Sequence, residues 1–123
     1  MYLKTYTEVV AAFESVTIEN YADFFMIVKE ASPIEKMMVQ RLKRVVNDVE
    51  ISFLSIRDIK IEDSFQKQGI FSRFLSILEQ KNIPVMIDDI VNDKLDDFLM
   101  RRGYHAFSYE KYGEKVRARY LTK

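Results

Sequence analysis

The sequence predicts an α/β (α+β) fold, a mixed central sheet flanked by helices and closed by a C-terminal β-hairpin. Three observations carry this. From Ile51 onward the apolar pattern switches between strand and helix periods: a strand-like run over 51–61, a helical one over 71–80, a short apolar run at 85–87, then helical spacing at Leu95, Phe98 and Leu99. The chain ends in two strand-like runs, Tyr104 to Tyr109 and Val116 to Leu121, joined through Lys111-Tyr112-Gly113-Glu114. Its 123 residues suit a single domain over 1–123, large enough to bury a core.

In the first half, three helical patterns are expected. Val9, Val10, Phe13 and Val16 suit one face of a short helix, and Phe24, Phe25, Ile27 and Val28 a second. Residues 1–7 fit a short strand equally well. Ser32-Pro33-Ile34-Glu35 reads as an N-cap with proline at the first helical position, opening a third helix on Ile34, Met37, Met38, Leu42, Val45 and Val46. Lys36, Gln40, Arg41, Lys43 and Arg44 form its other, solvated face. In the second half, Asn82-Ile83-Pro84 makes a turn, Val85-Met86-Ile87 a buried strand ending at Asp88-Asp89, and Gly103 a helix C-cap.

Composition limits the functions. Nineteen basic residues balance nineteen acidic ones, so no global field steers the chain toward nucleic acid or an anionic membrane. The absence of cysteine excludes a thiolate nucleophile and fits a reducing cytoplasm. One histidine and scattered carboxylates form no metal-ligand constellation, and no apolar run reaches the ~18 residues of a membrane span.

Gln66-Lys67-Gln68-Gly69-Ile70-Phe71 is the segment richest in chemistry. It lies where the 51–61 strand gives way to a helix and holds one of only three glycines. Backbone N–H groups of such a turn and of the helix start lack intrachain acceptors, and the helix dipole favours an anion there.

This order of elements, with these residues, resembles the GCN5-related N-acetyltransferase (GNAT) superfamily, in its compact bacterial or phage-type members. The family's cofactor motif runs Gln or Arg, two residues, Gly, one residue, then Gly or Ala. Gln66 and Gly69 match it, and Phe71 departs from it. Asn92, the helix with Leu95 and Phe98, and Gly103-Tyr104 resemble the family's downstream signature. Residues 51–109 thus correspond to an acetyl-CoA-binding core, and 1–50 to the variable, here helical, acceptor side.

The resemblance implies acetyl-CoA as co-substrate and an amine acceptor, either a protein lysine or N-terminus or a small amine. The short chain leans toward a macromolecule. It also implies main-chain contacts from Ile59 and Ile61, pyrophosphate contacts from Gln66, Lys67, Gln68, Gly69, Ile70 and Phe71, and a polar contact from Asn92. The catalytic positions depart: the family's strand Glu falls on Ser55 and its Tyr on Leu99. Asp88 is the substitute base candidate and Tyr104 the substitute phenol, with Asp58, Asp89, Tyr109, Tyr112 and His105 behind them. Two functions follow: direct acetyl transfer from acetyl-CoA to a primary amine, or a catalytically inactive GNAT-fold protein acting as a protein-interaction module.

Overall fold

The computed structural model describes residues 1–62 and 69–122. In chain order the elements are β1 (Tyr2–Leu3), α1 (Tyr6–Ser15), a 3-10 turn (Tyr21–Asp23), β2 (Phe25–Ala31), β3 (Ile34–Val46), β4 (Val49–Ile61), α2 (Ile70–Gln80), β5 (Val85–Ile87), α3 (Asp93–Arg101), β6 (His105–Lys111) and β7 (Glu114–Leu121). They form one seven-stranded mixed sheet in the order β1-β2-β3-β4-β5-β7-β6. The β1/β2 and β4/β5 pairs are parallel and the others antiparallel. From Ile51 to the end, this is the architecture expected from the sequence.

The second and third helices expected in the first half are strands instead. Ser32 and Pro33 do not cap a helix; they join β2 to β3. Helical spacing was mimicked by a phase shift. Irregular register between Ile34, Lys36 and Met38 puts Ile34, Met37 and Val39 inward, three and then two residues apart. β3 then runs against β4 through Asn47 and Asp48, whose φ values of 51° and 66° suit a tight two-residue hairpin. Val45 and Val49, flanking that turn, are exposed.

All three helices contribute to one core on one face of the sheet. Val9 and Phe13 of α1, Phe74, Leu75 and Leu78 of α2, and Leu99 of α3 pack with Val28, Val39, Leu54, Ile56, Val85 and Ile87. Phe13 stacks on Phe74 with ring centroids 4.5 Å apart, and each such buried side chain contributes ~1.5–3 kcal/mol. Lys81 ties α1 to the end of α2, its Nζ donating to the carbonyl oxygens of Phe13, Glu14 and Val16 at 2.9, 2.6 and 2.5 Å. These are the carbonyls that the end of α1 leaves without a helical partner. α3 ends in a Schellman motif, with Gly103 at φ 96° and the Tyr104 N–H reaching the Leu99 carbonyl at 3.0 Å.

The opposite face holds a smaller cluster of Val46, Phe53, Met86 and Ala118, with Ile51, Phe107, Tyr109 and Tyr120 around it. Strand alternation therefore sends Leu54 and Ile56 toward the helices, and Phe53, Ser55 and Arg57 to the other side.

Candidate active site

β4 and β5 pair over only three positions, Leu54 with Val85, Ser55 with Met86 and Ile56 with Ile87. The Asp88 N–H still reaches the Ile56 carbonyl at 2.9 Å, and the Ile90 N–H instead reaches Arg117 of β7 at 2.8 Å. The two strands thus part beyond Ile56. β4 continues beyond Ile56 with its other edge held by β3, and among the described residues no strand is registered on the β5 side of Arg57 to Lys60. Asp58, at φ 54°, kinks this stretch, and Ile59 and Ile61 after it are half-buried against the helix-side core.

In the chain, α2 follows β4. Gln66, Lys67 and Gln68 lie outside the described residues. Gly69 caps α2 in the left-handed region at φ 73°, and a Cβ built on it meets nothing among the described residues within 4 Å. None of the described residues obstructs the approach to the helix start there, which suits a bulky anion against the first N–H groups. Ile70 points into the core, and Phe71 packs beside it with its ring 6.2 Å from that of Phe98. The aromatic ring that breaks the glycine motif is thus committed to the α2–α3 contact. Asn92 caps α3, its Oδ1 accepting from the Lys94 and Leu95 N–H groups at 2.7 and 3.3 Å.

At the parting of β4 and β5, on the face away from the helices, stands a polar cluster. The Asp88 side chain is fully buried. Its Oδ2 accepts from Arg57 Nη2 at 2.8 Å and from Arg44 Nη2 at 3.4 Å, and its Oδ1 from the Tyr109 hydroxyl at 2.5 Å and the Asp89 N–H at 2.9 Å. Arg44 also lies over the Tyr109 ring, 4.4 Å from its centroid. Burial, then the hydrogen bond to Asp88, pushes the Tyr109 phenol up to about 12. Ser55 is fully buried in the same face, and its hydroxyl has no partner among the described residues.

Asp88 and Tyr104, the two catalytic candidates, are not brought together. Asp88 has four donors on its two oxygens and no exposed surface, so it anchors Arg57 and Tyr109. Tyr104 is buried on the helix side, where its hydroxyl donates to Glu79 Oε2 at 2.7 Å. Glu79 also accepts from Arg102 at 2.9 Å, and burial followed by the bond to Glu79 raises the Tyr104 phenol far above its usual range. This triad fastens α2 to the end of α3. Leu99 is fully buried core. Asp58, Asp89, Tyr112 and His105 are all exposed.

Arg44, expected on a solvated helix face, lies in β3 and reaches Asp88 instead, and Arg57 is a further member of the cluster beyond the expected site residues. Arg57 shares strand parity with Phe53 and Ser55, and a cation in phase with a buried phenylalanine was the available signal. Among the described residues, no group of His, Asp or Glu side chains could hold a metal ion, and no helix is long and apolar enough to cross a membrane.

No family model matches this chain, and no curated protein sequence does. Its structure is similar to the crystal structure of Arabidopsis thaliana NAA60, a GNAT acetyltransferase, in complex with a bisubstrate analogue. The TM-score is 0.51 at 12% sequence identity, over 73% of this chain and 65% of that one. The chain has a GNAT-like fold. It spans slightly less than two thirds of the NAA60 chain, and the likeness is one of architecture.

Proposed function

We propose that this protein is an acyl-CoA-dependent N-acyltransferase that moves acetyl from acetyl-CoA to a primary amine by direct transfer. The observation that carries the reading is the pairing of two features in a GNAT-like fold: β4 and β5 part after Ile56, and α2 starts at a left-handed Gly69 that none of the described residues obstructs. The first offers a strand edge that an extended pantetheine arm can line. The second offers backbone N–H groups to a pyrophosphate without needing net positive charge on the chain. That NAA60 was crystallised with a bisubstrate analogue supports a site of the same kind here.

In the reaction, the neutral amine nitrogen attacks the thioester carbonyl carbon, the C–S bond breaks, and the amine's proton leaves as the thiol is released. The chain's contribution is chiefly to hold the two substrates in line, which can supply ~7–11 kcal/mol of the barrier. Neither Ser55, whose hydroxyl is buried, nor Leu99 offers the acid–base pair that many GNAT enzymes use. Turnover should therefore follow the fraction of acceptor that is neutral, rising with pH up to the acceptor's own pKa. The test is acetyl transfer from acetyl-CoA to a panel of amines and peptides, followed by mass spectrometry. Acetylated product whose rate scales with enzyme supports the reading. Tight acetyl-CoA binding without product from any acceptor would favour a cofactor-gated interaction module instead.

A further inference from the structure

The cluster around Asp88 holds one positive charge more than it neutralises. Arg44 and Arg57 both reach the same carboxylate oxygen, and among the described residues no second carboxylate pairs with either guanidinium. Tyr109 brings a protonated phenol that donates to Asp88, so it supplies no compensating charge. On this face three buried donors have no acceptor among the described residues: Arg44 Nε, Arg57 Nε and the Ser55 hydroxyl. Buried donors are nearly always satisfied, and leaving several unpaired beside an unbalanced charge is costly. One monoanion at the exposed edges of the two guanidinium groups would offset the surplus charge.

Geometry favours a ligand over a purely structural account. Ser55 and Arg57 are alternate residues on one face of β4, and register places Met86 beside Ser55, with Asp88 two residues further on. The two arginine side chains keep 25% and 20% of their surface, so the cluster can be approached from solvent. A surplus of one charge matches a carboxylate, whereas a phosphate monoester carries about −1.5 to −2. Planar guanidinium forks also fit a planar carboxylate in two-point contact.

We infer that this cluster binds the carboxylate of the acceptor, making the acceptor a small amine that also carries a carboxylate, as an amino acid does. Naming it the acceptor rests on the transferase reading above; the anion site rests on the cluster alone. The site lies beside the parting of β4 and β5, so an acceptor anchored there presents its amine near the thioester.

The test is an NMR titration of the full chain, without acetyl-CoA, using N-acetylglycine and N-acetylglycinamide. These probes resemble an acetylated product with and without the charge, and neither has an amine whose ionisation differs. N-acetylglycine should bind about tenfold to a hundredfold more tightly, as expected for charge-assisted bonds, and should shift the amides of Ser55, Arg57, Asp88 and Tyr109. Arg44→Gln should weaken N-acetylglycine binding toward the amide's level while the variant stays folded by circular dichroism, and Ser55→Ala, whose hydroxyl has no exposed surface, should bind N-acetylglycine as wild type does.

Equal binding of the two probes, or no binding of either at large excess, would overturn the inference. Inorganic phosphate displacing N-acetylglycine at lower concentration would overturn the assignment to a carboxylate. If the acid binds but acetyl-CoA does not, the anion site stands and the transferase reading falls. If acetyl-CoA is used but acids and amides are acetylated alike, the reverse holds.

Discussion

Replacing Asp88 with alanine should unfold much of the stability margin of this domain. Asp88 is the only carboxylate among the described residues that pairs with Arg44 and Arg57, whose side chains are three-quarters or more buried. It also accepts from the Tyr109 hydroxyl and the Asp89 N–H. Truncation leaves two largely buried cations and a phenol without an acceptor, which costs about 3–5 kcal/mol when a buried charge loses its partner. Small domains hold only about 5–15 kcal/mol in total. With a urea slope of ~1–3 kcal/mol/M, the denaturation midpoint should fall by roughly 2 M. Equilibrium urea unfolding followed by circular dichroism measures this. The double variant Asp88→Ala/Arg57→Leu should recover part of the loss, because an apolar side chain there no longer needs a counter-charge. A single-variant loss below about 1 kcal/mol, or a double variant no better than the sum of its singles, would refute the reasoning.

Lys81→Met keeps the aliphatic stem but removes three bonds to the end of α1, so stability should drop by about 1.5–3 kcal/mol, with hydrogen-exchange protection lost first in Tyr6–Ser15. Alkaline pH should destabilise the protein. Both Tyr104 and Tyr109 have phenols raised above the unfolded value, Tyr109 to about 12. Their contribution is therefore full below about pH 10 and is lost as pH rises from there through the folded values. Urea midpoints that stay level from pH 9 to 11 would contradict this.

The fold from Ile51 onward was legible because its signals agree with one another. Gly103 and the Tyr112-Gly113 pair stand at positive φ, where a helix ends and a hairpin turns, and the apolar periods between them change accordingly. β2 and β3 were not legible by period alone. Phe24, Ile27 and Val28 satisfy helical spacing, and the irregular register near Lys36 erases the alternation that would reveal a strand. Asn47-Asp48, between two long apolar runs, was the overlooked signal: short polar residues that tolerate left-handed backbone at a hairpin tip.

The candidate site was partly legible for a related reason. Gly69 and Asn92 are local devices, a turn residue and a cap, and local devices can be read from sequence. The cluster of Arg44, Arg57, Asp88 and Tyr109 draws on four strands or strand ends, and only the register of the folded sheet assembles it.

The most direct test of the transferase proposal is calorimetric titration of acetyl-CoA into the wild-type chain and into Gly69→Glu. A left-handed glycine at the start of α2 should tolerate neither the strain nor the negative charge of glutamate facing a pyrophosphate. The account predicts saturable binding to wild type and its loss in a variant that remains folded by circular dichroism. No heat with wild type, or equal binding to both, would contradict it.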